Sequence, residues 1–193
     1  MRWLLGIVIG VLAAAMIYLG TAAHSLSELA SAARAGDGAR VLQHTNVKAL
    51  NHSLTDQIVR AYLERIGTKR TVGPLEKTLI TTYGATIADA MVAKMLTADR
   101  LAQMLKTGKL EGAADLPSLS GIPTLADLDT GLSMLGRLHF IQPVLLGIRV
   151  SDSSAPDAYA AINLHFEDFG WKLSGIELPK AVVRTLAANL PVR

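Results

Sequence analysis

His24, His44, His52, His139 and His165 are the side chains best suited to hold a metal or move a proton, but their spacing fits no ligand motif. A zinc-type centre needs three or four ligands converging on one point. His139 and His165 fall on segments with strand periodicity and would approach across neighbouring strands, yet no third ligand stands at motif spacing. There is no H-E-x-x-H helix and no calcium loop. Histidines on a strand surface are the plain reading, so no metal and no cofactor is expected. Serines are plentiful, but the G-x-S-x-G elbow that exposes a nucleophile is absent. Two carboxylate pairs, Asp127 with Asp129 and Glu167 with Asp168, have the residue types for acid–base work. The second pair lies in a predicted turn, where acids are ordinary, and the first is expected to face water. No phosphate-binding glycine loop is present. Asn51-His52-Ser53 fits a glycosylation sequon, a triplet that arises often by chance. No catalytic residue is assigned, and the balance leans away from an enzyme.

Arg60, Arg65, Lys69, Arg70 and Lys77 form a basic cluster at the end of one predicted helix and the start of the next, diluted by Glu64 and Glu76. A solvated helix face is the default. Contact with anionic lipid head groups is the functional alternative, given a tether nearby. Nucleic acid is not an expected partner. The surplus of 19 Lys+Arg over 16 Asp+Glu is only three charges, and no aromatic residues interleave with the bases.

The element that would position all of this is the apolar stretch from Trp3 to Ala23. Its anchor residues are Trp3, Leu4, Leu5, Gly6, Ile7, Val8, Ile9, Gly10, Val11, Leu12, Ala13, Ala14, Ala15, Met16, Ile17, Tyr18, Leu19 and Gly20. As a helix the stretch would reach about 30 Å, the thickness of a bilayer's hydrocarbon core. Arg2 and the amino terminus are the only positive charges before it; Glu28 and Arg34 are the first charges after it. The positive-inside bias then keeps the N-terminus in the cytoplasm and sends the rest across, with Trp3 and Tyr18 near the two interfaces. A secretory signal peptide is the competing reading, since Gly20 to Ala23 are small enough for cleavage, but its apolar core is usually shorter. Gly6, Gly10 and Ala14 repeat every four residues, a stripe on which a second copy could pack as a homodimer. The chain has no cysteine, which removes disulfides and thiolate metal sites.

Past residue 24 the pattern predicts one domain over 25–193. Ser25 and Glu28 have the form of a capping box opening a helix that carries Leu26, Leu29, Ala30 and Ala33 to Gly36. Asp37 caps a short second helix, and Asn46 caps a third with Leu50, Leu54, Ile58 and Tyr62 on one face, ending at Gly67. Pro74 opens the next. There Leu75, Leu79, Tyr83, Ile87, Met91 and Met95 recur every four residues, and the uncharged run after Lys77 predicts a core helix buried on most sides, with Gly84 a point of bending. Thr97 caps a last helix that Gly108 stops. This helical part, 25–107, gives way to a Gly- and Pro-rich loop over 108–124. From 125 the period changes to two. Leu138–Val150 is strand-like, with Pro143 marking an edge or bulge. Tyr159–Phe166 alternates, Glu167–Gly170 turns, and Trp171–Ile176 returns. Pro179 opens a final helix bearing Val182, Val183, Leu186 and Leu190. The fold class is α+β: a helical half over a small antiparallel sheet of about three strands.

Ala35-Gly36-Asp37, Asn46-Val47, Thr97-Ala98-Asp99-Arg100-Leu101 and Gly170-Trp171-Lys172-Leu173 leading to Leu178-Pro179, in that order behind an anchor, resemble a bacterial membrane-anchored family catalogued as domain of unknown function 2939. The resemblance runs through nearly the whole chain. It departs where the family tends to show Asp-Phe followed by Leu-Arg, since this chain has Asn46-Val47 and Leu50-Asn51. It implies a bacterial membrane-anchored protein and brings no activity; with the charge bias, the expected location is the inner membrane with the domain periplasmic or extracytoplasmic. The expected role is a single-pass, non-enzymatic envelope protein whose extracytoplasmic domain binds a protein, lipid or small ligand. The alternative, by fold analogy alone, is a cone-shaped cavity of the nuclear-transport-factor-2-like kind, binding or enzymatic, with or without cleavage of the N-terminus. Tyr62, Tyr83, His139, Tyr159, His165 and Trp171 would be its candidate lining.

Overall fold

Nothing between Trp3 and Ala35 breaks a helix, and in the computed structural model this segment is one helix, α1 (Arg2–Ala35). The structure describes residues 2–68, 70–110, 119–120, 122, 124–125, 137–150 and 159–190. Lys69, Asp127, Asp129, the side chain of Leu4, most of the 108–124 loop and the 151–158 connection lie outside the described residues. The capping box expected at Ser25 does not form. Both Ser25 and Glu28 fall inside the unbroken ladder of α1, because no residue upstream releases the N–H groups that a cap would satisfy. The buried stripe it was meant to introduce is present: Leu26, Leu29, Ala30 and Ala33 are all within the core.

Gly36 stops α1 in the left-handed region, at φ +73°. Its N–H bonds the carbonyl of Ala33, and the N–H of Asp37 bonds that of Ala32, both at 3.0 Å. This paired closure satisfies two carbonyls that the helix end would otherwise leave bare. Asp37 then caps α2 (Gly38–Gln43) by accepting from the Arg40 N–H at 3.0 Å. Asn46 caps α3 (Val47–Gly67) by accepting from the Ala49 N–H at 2.9 Å. The face of α3 formed by Leu50, Leu54, Ile58 and Tyr62 is buried as its spacing predicts.

The next helical run departs from expectation. It divides into α4 (Pro74–Leu79), one π-helical turn (Ile80–Gly84) and α5 (Ala85–Met95). The first half of the expected stripe lies on the outside, Leu75, Leu79 and Tyr83 being 77, 48 and 66 % exposed, while Ile87 and Met91 pack half-buried against the core and Met95 is buried. The residues one step further on, Ile80, Gly84, Ala88 and Val92, face inward instead. The small Gly84 and Ala88 let α5 lie close against the core, and the π turn adjusts the rotation that brings them there. Helix α6 (Ala98–Thr107) ends at Gly108, whose φ of +65° again favours glycine. A short ribbon follows, β1 (Lys109–Leu110) against β2 (Leu119–Ser120).

The main sheet has four antiparallel strands in chain order: β3 (Leu138–Gln142), β4 (Leu145–Arg149), β5 (Ala161–Glu167) and β6 (Gly170–Glu177). The Leu138–Val150 run is therefore two strands rather than one. Pro143 has no N–H for a ladder and sits in the Pro143-Val144 turn between them, with a register shift beside Ile141. Ile162 stands opposite Ile148 and Ile176, and Leu164 opposite Leu146 and Leu173; all six are at most 1 % exposed. The opposite row is His139, Gly147, Asn163 and Gly175. The outer edge of β6 is covered by the strap before α3. Asn46 donates to the Leu173 carbonyl and Leu173 to that of His44, each at 2.8 Å. This blocks pairing with another chain along that edge. Helix α7 (Lys180–Ala188) closes the fold by packing Val182, Val183 and Leu186 inward. Helices and sheet share one core, so the fold is α+β as the pattern predicts.

The β5–β6 turn is Asp168-Phe169, with φ of 49° and 62°. An aspartate tolerates this region; a bulky phenylalanine does not. Phe169→Gly is therefore expected to raise unfolding stability by about 1 kcal/mol, since glycine takes that φ freely. Ile58→Ala, at the centre of the α3 stripe, is expected to lower it by about 2–5 kcal/mol through the cavity it leaves. Denaturant titration in one detergent measures both; a loss on Phe169→Gly would contradict the strained-turn reading.

Candidate functional site: the helix junction and the α3–α7 groove

The first half of α1 carries a continuous apolar surface that the rest of the chain leaves bare. Trp3, Leu5, Ile7, Val8, Ile9, Val11, Leu12, Met16 and Ile17 are each more than half exposed. Its length and composition are those of a membrane span or a signal sequence, with only 6 % of its apolar window covered by the protein. The Gly6–Gly10 stripe has nothing within 4 Å. From Ala22 onward the same helix belongs to the core.

Between the two halves lies an aromatic junction. The Tyr18 hydroxyl donates to the carbonyl of Pro143 in the β3–β4 turn. Its ring meets Trp171 edge-on with centroids 4.9 Å apart and lies 6.0 Å from Phe166, while Phe166 and Trp171 are 5.4 Å apart. Edge-to-face packing of this kind adds to what burial alone provides. Trp171 is buried, and its indole N–H donates to the Thr21 hydroxyl at 3.2 Å. The Thr21 hydroxyl donates in turn to the Tyr18 carbonyl at 2.8 Å. The strand-to-helix contacts join residues more than 120 positions apart, so no local pattern announces them.

Helix α3 runs parallel to β6. Thr45 bridges Leu173, Ser53 lies against Gly175, and Gln57 bonds both the Ile176 carbonyl and the Leu178 N–H. Arg60 and Arg65 therefore lie beyond the far end of β6, with Arg65 about 27 Å along the helix from Val47. The basic residues are engaged locally. Arg60 is 3.5 Å from Asp56, the Arg65 guanidinium lies 5.6 Å from the Tyr62 ring centre, and Arg70 clamps both oxygens of Glu76. Lys77 is exposed on α4. Beside Arg60 and Arg65 a groove of about 340 Å³ opens between α3 and α7, lined by Ala61, Glu64, Arg65, Thr68, Arg184 and Ala187. A shallower one of about 190 Å³ adjoins it toward Gln57, Leu178 and Lys180.

The residues named for a cone-shaped cavity are dispersed. Tyr62 is buried on α3, Tyr83 is exposed on the π turn and Trp171 belongs to the junction. Tyr159 stands under the Arg149 guanidinium at 5.6 Å. The His139 ring lies across Gly147, where any Cβ would collide with it, and His165 is 3.9 Å from Glu167. Among the described residues no three of His, Asp and Glu gather as a metal site would require. Glu167 and Asp168 share Lys172 at 3.5 and 2.8 Å, and Asn46 donates to Glu167 at 2.8 Å. The bond from Lys172 holds the Asp168 carboxyl below its ordinary range and raises the ammonium. Asn51 donates to the Asp89 carboxylate at 2.6 Å and ties α3 to α5.

The hydrogen bonds from Arg70 lower the Glu76 pKa from its usual 4.5. A depressed carboxylate stabilises the fold above its unfolded pKa, and the contribution is lost as pH falls through the folded value. Carboxyl chemical-shift titration is expected to place the Glu76 midpoint below 4.5 and to return it toward that value in Arg70→Gln. An unchanged midpoint in the variant would show that the clamp does not hold in solution.

No curated protein and no solved structure matches the chain. The family match ends within α6, before the sheet begins, and includes the second half of the exposed apolar helix, the Gly36 stop and the Asn46 cap. Residues 11–104 match the model of the family described as protein of unknown function (DUF2939).

Proposed function

We propose that this chain is a single-pass bacterial membrane protein. In this reading the N-terminus stays in the cytoplasm, and the domain stands on the periplasmic side as a non-catalytic binding module. The observation that carries the reading is the continuity of α1. One unbroken helix is apolar and bare along its first half and built into the core along its second. Arg2 ahead of the span supplies the orienting charge. The same continuity favours an anchor over a cleaved signal. A cut near Ala23 would fall inside a helix and sever Tyr18 and Thr21 from Trp171.

For the ligand, the α3–α7 groove is the best candidate. Its size is at the small end for a ligand pocket, and its rim is charged by Glu64, Arg65 and Arg184. Such a rim suits a polar segment of a partner protein better than a buried apolar molecule. Contact of Arg60, Arg65, Arg70 and Lys77 with lipid head groups would require the domain to lie over on its side, since Arg60 and Arg65 are remote from the Tyr18 junction.

Membranes washed with alkaline carbonate are expected to retain the protein at its full mass of 20.5 kDa. A C-terminal reporter that works only outside the cytosol is expected to be active. A mature form lighter by about 2 kDa, the mass of a removed leader, would replace the anchor with a secreted domain.

A further inference from the structure

The span is too short if only its bare part enters lipid. Trp3 to Ile17 is 15 residues, or about 22 Å of helix, against about 30 Å of hydrocarbon. From Tyr18 the helix is flanked by the sheet, so filling the remaining depth brings the sheet's near end to the membrane with it. That end carries an apolar patch. Both hairpin turns, Pro143-Val144 and Asp168-Phe169, lie there, joined by the bond from the Phe166 N–H to the Val144 carbonyl at 2.9 Å. Pro143 is the residue that accepts the Tyr18 hydroxyl. Around these turns Phe140, Ile141 and Val144 are 58, 42 and 41 % exposed, and Phe169 is wholly exposed. Phe169 also stands at a positive φ that a phenylalanine resists, at a tip where glycine would be relaxed. Of the two acids at the same end, Asp168 pairs with Lys172 at 2.8 Å, and Glu167 lies 3.5 Å from the same ammonium and accepts from Asn46, so one negative charge remains.

We propose that the two hairpin tips are a second membrane contact: Phe140, Ile141, Val144 and Phe169 enter the interfacial layer of the leaflet that α1 leaves, so that the domain is seated on the bilayer rather than hung above it. The proposal rests on the reading of α1 as a membrane span. The occupant of this patch is a lipid surface, because the patch is continuous with the span at Tyr18 and the missing depth of the span is at the same level. Aromatic and aliphatic side chains beside charged ones match the chemistry of the interface.

Because the chain has no cysteine, single thiols can be placed freely. Full-length Phe169→Cys, Val144→Cys, Ala35→Cys and Val11→Cys proteins, each labelled with an environment-sensitive fluorophore, would be set in nanodiscs of phosphatidylcholine and phosphatidylglycerol. Ala35 ends α1, about 25 Å along the helix beyond Tyr18. Labels at 169 and 144 are expected to be quenched by shallow nitroxide lipids and shielded from iodide several-fold relative to the label at 35. If 169 and 144 are as open to iodide as 35 while the label at 11 is quenched by lipid, the seated domain is wrong and the anchor stands. If the label at 11 also escapes lipid, the span itself fails and this proposal with it.

Discussion

The structure depends on one helix meeting two environments without a joint. A helix satisfies its own backbone hydrogen bonds, so α1 can pass from an uncovered apolar stretch into a packed core with no change in its ladder. Only the side chains change partners along its length. Before Tyr18 the large apolar ones described are more than half exposed; from Ala22 they meet α6, α2 and β6. The changeover is held by Tyr18, Phe166 and Trp171, three rings in mutual contact with their polar atoms aimed at backbone and hydroxyl acceptors. Because Trp171 is on the β5–β6 hairpin and Pro143 on the β3–β4 turn, the same few contacts fix the sheet to the helix.

The remainder of the fold is arranged around that attachment. Gly36 turns the chain back, α2 and its Asn46 strap close the edge of β6, and α3 follows β6 away from the junction. The consequence is a molecule with two unlike ends. One carries the bare helix and the apolar turns; the other carries the charged groove between α3 and α7. Arg60 and Arg65 are at this second end, which is why their closeness in sequence to one another matters less than their distance from Tyr18.

Local chemistry made much of this legible from the residues alone. Asp37, Asn46, Gly36 and Gly108 act within four residues of themselves, so their types predict their roles. The period-two alternation of β5 and the turn after Glu167 were equally readable. What failed needed tertiary information. Ser25 has the capping pattern but sits in a helix already propagating from upstream. The Leu75–Tyr83 stripe loses to the neighbouring Ile80–Gly84–Ala88 row, because close approach to the core rewards small residues that a hydrophobicity count ignores. Pro143 marks an interruption in the sequence, but whether it bulges a strand or divides it depends on what pairs on either side. For the candidate site, the anchor and the basic cluster were visible as composition. The partners of the cluster were partly visible too, Asp56 and Glu76 being close in sequence. The aromatic junction was not, since its contacts close over most of the chain.

The last glycine in α1 before its terminal Gly36 is Gly20, so the segment that enters the core has neither a glycine nor a proline at which to flex. If its first half spans a bilayer, as proposed above, such a rod carries its inclination into the domain. Membranes of different thickness change the inclination of a spanning helix, and a helix without a joint passes that inclination on, except in so far as the hairpin tips hold the domain to the lipid surface. Over a lever of about 27 Å, a change of about 10° would sweep the charged end sideways by about 5 Å. On the proposed placement, what the far end of the molecule can reach would be tied to the thickness of the lipid around its first half.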